Sequence, residues 1–117
     1  MRQPFYSLKS SQDIQSVRQN GNSFSNGWLV LVAAQNELDA SRAAIIASRS
    51  VGGAVQRERC KRVLRARLNR FSGELRQGFD ILLIARKRLL DAKPVEIDQA
   101  VHSLLVKAGL INRDENG

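Results

Sequence analysis

Residues 54–71 show helical spacing between two short apolar runs, and this arrangement restricts the possible folds more than any other feature of the chain. Cys60, Val63, Leu64, Leu68 and Phe71 fall on one arc of a helical wheel at about 100° per residue. Ala43 to Ala47 before the segment and Ile81 to Ala85 after it are too short for helices and read as strands. Antiparallel neighbours can be joined by a tight turn, whereas a helix between strands suits a crossover between parallel neighbours. The 81–85 run is apolar at every position, which predicts burial on both faces. The chain is therefore expected to form a small α/β sandwich with helices against a sheet.

The flanking segments extend this frame. Ser10, with Asp13 three residues on, has the form of a helix N-cap, and Ile14, Val17 and Arg18 continue a short helix to Gly21. The polar stretch 20–27 (Asn-Gly-Asn-Ser-Phe-Ser-Asn-Gly) reads as a turn, and Trp28 to Val32 as a strand. Gln35 to Ser41 is a polar connection. Pro94 in a first turn, with Glu96 and Asp98 behind it, opens a last helix. Its apolar stripe is Ile97, Val101, Leu104, Leu105 and Ala108, and Gly109 ends it. Pro4 and its neighbours read as an extended lead-in and Asn112 to Gly117 as a frayed tail. No linker or repeat divides the chain, so residues 1–117 are expected to form one domain.

The polar side of the 54–71 helix is almost purely cationic. Arg57, Arg59, Lys61, Arg62, Arg65, Arg67 and Arg70 face a single anion, Glu58, while the whole chain carries only +8. On the wheel Arg59, Lys61, Arg62, Arg65 and Arg70 lie opposite the apolar arc, with Arg57 at its border and Arg67 inside its flank. Solvated helix faces usually mix signs. Cations packed this densely repel one another unless a polyanion neutralises them, and nucleic acid is the natural candidate. Arginine adds bidentate contacts to phosphate oxygens. Gly52 and Gly53 just ahead would let backbone approach a ligand at the helix N-terminus, where the field favours phosphate.

Several classes are set aside by composition. Apolar residues make up 43% of the chain, enough for a core. The longest apolar run, Trp28 to Ala34, is far short of a membrane span. The N-terminal residues lack the apolar centre of a signal peptide. One cysteine (Cys60) and one histidine (His102) can form neither an internal disulfide nor a Cys/His zinc site. A cytoplasmic, reduced, metal-free protein is expected. The acidic residues are dispersed, and no nucleophile–base or carboxylate pair suggests a protein catalyst. His102, Cys60 and Trp28 read as structural residues.

The string Ser48-Arg49-Ser50-Val51-Gly52-Gly53-Ala54-Val55-Gln56-Arg57-Glu58-Arg59-Cys60-Lys61-Arg62-Val63-Leu64-Arg65 resembles the signature of the bacterial ribonuclease P protein subunit. In that family Ser-Lys-Lys is followed by a Val/Ile-Gly-x-Ala-Val run, Arg-Asn-Arg, one residue, Lys-Arg and Leu-hydrophobic-Arg. The likeness spans nearly the whole chain. It includes Leu8-Lys9, Asp13-Ile14, Val17 and Asn20-Gly21 upstream, then Asp80, Ile84-Ala85-Arg86 and Leu104-Leu105-Val106-Lys107 downstream.

The resemblance implies an α+β two-layer sandwich, like the second domain of a small-subunit ribosomal protein. Its central sheet is mostly antiparallel, and the basic helix lies in a left-handed crossover against the usual rule. It further implies the protein subunit of an endoribonuclease that removes the 5′ leader of precursor tRNA. The active site and its Mg²⁺ belong to the catalytic RNA, with no catalytic residue, metal or cofactor in this chain and one protein per RNA. Carried over by position, Arg49, Gly52, Arg57, Arg59, Lys61, Arg62 and Arg65 contact that RNA. Ile14, Arg18, Val32 and Arg86 line or adjoin the leader cleft. The chain departs from the family pattern at Arg49-Ser50, one charge short, and at Glu58, where an asparagine is usual. The cleft positions often aromatic in the family are here Ile14, Arg18 and Val32.

The principal alternative is a ribosomal or general RNA-binding protein that uses the same helix without any role in leader removal. A DNA-binding regulator is disfavoured, because arginines around half a helix suit backbone docking better than edge readout by a few side chains.

Overall fold

The computed structural model describes residues 5–112; the lead-in at Pro4 and all but the first residue of the expected tail lie outside them. The elements are β1 (Tyr6–Ser7), α1 (Ser11–Asn20), β2 (Asn22–Ser25), β3 (Leu29–Gln35), β4 (Arg42–Ile46), α2 (Ala54–Arg70), β5 (Phe79–Ala85) and α3 (Pro94–Lys107). They form one sheet in the order β1-β4-β5-β3-β2. The long β3–β5 ladder and the β2–β3 hairpin are antiparallel, while β4–β5 and the short β1–β4 pair are parallel. The basic helix α2 is the crossover between β4 and β5, as its place between two apolar runs predicts.

Strand alternation sorts the core into two faces. Leu29, Leu31, Ala43, Ile81 and Leu83 turn to one side, where Cys60, Leu64 and Leu68 of α2 and Ile97, Val101, Leu104 and Leu105 of α3 pack on them. Val32 and Leu82 turn to the other side, beneath Val17 of α1. Ser10 caps α1 through its Oγ, which accepts the Asp13 N–H at 3.3 Å. At the far end Gly21 touches the sheet so closely that a Cβ would lie 2.8 Å from Val32 Cγ1 and 2.9 Å from the Ala33 carbonyl oxygen. Only glycine lets α1 descend onto β3 there.

The sequence reading of helix, two or three strands, helix, strand, helix holds, and two short strands add to it. The polar stretch 20–27, expected to be a turn, contains β2, paired with Val30 to Ala33. An edge strand tolerates polar residues because one side meets solvent; here Phe24 alone turns into the core. The actual turn is pinned by Asn26, whose Oδ1 accepts the N–H groups of Trp28 at 3.0 Å and Leu29 at 3.1 Å. β1 is too short for any periodicity and exists because β4 offers it an edge.

Candidate nucleic-acid interface

Cys60, Leu64 and Leu68, spaced four apart, seat α2 on the sheet and leave its cations at three different flanks. On the α3 side Arg67 Nε lies 2.7 Å from Asp98 Oδ1, and Arg70 Nη1 donates to Asp98 Oδ2 at 2.8 Å. The first contact is an ion pair too bent for an aligned hydrogen bond. Asp98 thus engages two of the seven cations and offsets one of their two charges. Among the described residues Arg57, Arg59, Lys61, Arg62 and Arg65 make no ion pair. Those five are the α2 cations that the family pattern assigns to RNA.

Arg57, Lys61 and Arg65 recur every four residues, forming a row with about 6 Å between steps. The row runs beside β4: Arg57 and Lys61 line a groove of 240 Å³ with Ala47, and Arg65 a groove of 270 Å³ with Ile45 and Ile46. Arg62 is exposed. Arg59 lies on the opposite flank, over Leu89 and Ile97. Glu58, exposed, shares the groove of Arg57 and Lys61.

The helix begins in backbone that favours an anion. A single 3₁₀ turn, Arg49–Val51, is anchored by buried Val51 and leaves Arg49 exposed. Gly52 follows at φ 150°, a conformation open to glycine and strained for other residues. Gly53 caps α2 with no side-chain acceptor, so the first N–H groups and the positive end of the helix dipole face outward.

Parallel pairing then brings a second basic cluster to the same edge. Strands β4 and β5 end side by side, so Arg49 after one and Arg86-Lys87-Arg88 after the other emerge together. Arg88 is engaged, its guanidinium 5.2 Å from the Trp28 ring centre, a cation–π contact. Arg86 and Lys87 are exposed.

Behind this edge, α1 covers only part of its sheet face. Val30, Ile84 and Ile46 form a cross-strand row that stays half-buried, with Ala44 and Ile14 beside it. Ile14 lines the 270 Å³ groove, and exposed Arg18 stands one helical turn further along the same flank. Arg86, in extended backbone two residues beyond Ile84, continues that face. Val32 does not line the cleft: it is 4% exposed beneath Val17 and Gly21 and supports α1 from below. Val30, Ile46 and Ile84 take its place. Their exposure depends on where α1 crosses the sheet, which no local pattern carries.

The other titratable groups are structural. Burial pushes the Cys60 thiol up, against the opposing charge of Arg59, so it stays protonated near neutral pH. His102 packs against Phe71 with ring centres 5.2 Å apart. Asp80, buried, accepts from Arg42 Nε at 2.8 Å and Nη2 at 2.6 Å, and from Asn36 Nδ2 at 2.9 Å. This clamp ties β4 to β5 at the end of the sheet away from the basic edge. No three His, Cys, Asp or Glu among the described residues group to hold a metal, and no helix there is long and apolar enough to cross a membrane.

A mixed sheet with unpaired cations on its crossover helix and an open apolar strip on its other face defines a small basic protein built to bind a polyanion, with no metal-binding cluster among the described residues. Its sequence matches the Ribonuclease P family model over residues 3–109. It is 36% identical to the ribonuclease P protein component of Clostridium kluyveri over 90% of this chain and 96% of the relative. Identity to the Dehalococcoides mccartyi protein component is 38%, over 91% and 87%. The Staphylococcus aureus ribonuclease P protein structure superposes with a TM-score of 0.83 at 29% identity, covering 92% of this chain and 98% of that one. The Thermotoga maritima protein gives 0.78 at 28%, covering 86% and 96%. The chain belongs to the ribonuclease P protein component family and is a protein subunit of that holoenzyme.

Asp98 sets how much of the helix charge is free. Asp98→Ala is expected to release Arg67 and Arg70 at a stability cost of about 1 kcal/mol. A salt titration of RNA binding should steepen by about one unit of slope, and an unchanged slope would place both arginines outside the RNA footprint.

Proposed function

We propose that α2 docks on the catalytic RNA of ribonuclease P through Arg57, Arg59, Lys61, Arg62 and Arg65, with Arg49 and the backbone at Gly52 at its leading edge. The strip of Val30, Ile46 and Ile84 beside α1, flanked by Ile14, Arg18 and Arg86, holds the 5′ leader of precursor tRNA. One observation carries this reading: the five cations at the family positions form no ion pair among the described residues, while Arg67 and Arg70 are held by Asp98 within the fold. Phosphodiester hydrolysis and its Mg²⁺ fall to the RNA, and no side chain of this chain is assigned to the metal. One protein serves one RNA, in the cytoplasm.

The test is 5′-leader cleavage of a precursor tRNA by a bacterial ribonuclease P RNA at low Mg²⁺, with and without the protein. Cleavage is expected only with both. Binding to the RNA without restored cleavage would mark a basic module of another particle. Within the cleft, Ile14→Phe should tighten precursor binding about tenfold, since an added base stack contributes about 1–3 kcal/mol. An unchanged affinity would remove Ile14 from the leader contact.

A further inference from the structure

The strip beside α1 and the cation row of α2 lie on opposite faces of the sheet, and the structure joins them around one free edge. Strand β1 pairs only with Arg42 and Ala43. The Leu8 N–H donates to the Ala43 carbonyl oxygen at 2.8 Å, so odd-numbered residues of β4 turn their backbone groups outward. Past that point β1 has ended, and Ile45 presents its N–H and C=O to the edge with no strand beside it among the described residues.

The 270 Å³ groove wraps this edge. Ile14, Ala44 and Ile46 line it on the α1 side, and Phe5 and Ile45 on the α2 side. Lys9 and Arg65 also line it, and neither forms an ion pair among the described residues. Its volume approaches the roughly 300 Å³ at which small-ligand sites begin. Phe5 thus brings to the groove an aromatic ring that α1 lacks at Ile14 and Arg18. From Arg65 the row continues through Lys61 to Arg57 at steps of about 6 Å. A planar apolar surface sharing a groove with two cations suits a single-stranded nucleotide, ring stacked and phosphates neutralised. A second copy of this chain pairing edge to edge would set one cation row against another, which disfavours it as occupant.

We propose that the groove around the β4 edge is a nucleotide subsite. A single RNA strand crosses it between the apolar strip and the α2 row, stacking a base on Phe5 and placing its phosphates against Lys9, with Arg65 at the boundary between the strand and the catalytic RNA. This rests on the leader-binding reading above and adds Phe5 and Lys9 to the residues that grip the strand.

The experiment measures affinity of the holoenzyme for precursor tRNAs whose leaders are lengthened one nucleotide at a time, with the wild type, Phe5→Ala, Phe5→Trp and Lys9→Ala. Phe5→Ala should lose about tenfold, equivalent to about 1.4 kcal/mol, and only above a threshold leader length. Phe5→Trp should restore the loss, and exposed Lys9→Ala should show the same threshold without a change in melting temperature. A loss independent of leader length, or equal binding by all variants, overturns the subsite. So does displacement of the leader by polyglutamate as effectively as by an RNA oligonucleotide, since the groove would then hold any polyanion. Wild-type protein that rescues cleavage while the variants match it removes only the subsite; wild-type protein that fails to rescue removes the parent reading.

Discussion

Exchanging Arg62 and Arg65 together for glutamate is expected to abolish assembly with the catalytic RNA at moderate salt. Both side chains are exposed and unpaired among the described residues, so the fold should change by no more than about 0.5 kcal/mol each, as for ordinary surface positions. The charge of the docking face falls by four, turning attraction at its centre into repulsion. Every phosphate contact removed lowers the slope of log affinity against log salt by about 0.7–0.9, so two lost contacts flatten it by about 1.5. Binding measured between about 50 and 300 mM salt, where the Debye length shrinks from roughly 14 to 6 Å, reads both effects. Retained assembly with an unchanged slope, in a variant that melts like the wild type, would take α2 out of the interface.

The second large effect concerns the fold that holds this face in place. Asp80→Asn keeps the shape of the side chain but removes the charge to which Arg42 donates twice. Breaking a buried pair costs about 3–5 kcal/mol. Arg42, with 27% of its side chain exposed, recovers part of that through water. A loss of about 2–3 kcal/mol is expected, or roughly 10 °C in melting temperature for a domain of this size. The sign of the pH dependence follows from the same clamp. Burial pushes the Asp80 carboxyl up, but hydrogen bonds from Arg42 and Asn36 and the charge of Arg42 outweigh it and hold it below its ordinary range. A depressed carboxyl contributes stability above its unfolded value near pH 4 and loses it as pH falls through the folded value. The gap between wild type and Asp80→Asn should therefore be full near neutrality and narrow in acid. Denaturant titrations at several pH values measure it, and a gap that is constant or widens on acidification would contradict the clamp.

The elements with a strong period are legible in the residue pattern. The arc of Cys60, Leu64 and Leu68 settles both the helix and the side on which its cations must lie, because burial of one face forces the rest outward. Ser10 and Gly21 mark the ends of α1, and Pro94 and Gly109 those of the last helix, because backbone hydrogen bonding at helix ends selects few residue types. The site residues on α2 are equally visible, as a charge imbalance with no local compensation. β2 is hidden, since an edge strand with one solvent side needs no apolar alternation, and β1 is only two residues long.

The order of residues alone thus dictates a basic amphipathic helix between two strands, and with it a polyanion partner. Which of its cations are free is settled by packing. Asp98 is distant from Arg67 and Arg70 in the chain and meets them because α3 packs beside α2. Packing also covers Val32 while Val30, Ile46 and Ile84 stay open, since that depends on the path of α1 over the sheet. The parallel ends of β4 and β5 bring Arg49 and Arg86 to one edge, although 36 residues separate them in the sequence. Local periodicity reports which way a side chain points; whether something lies on top of it is a long-range fact, and the interface is built from such facts.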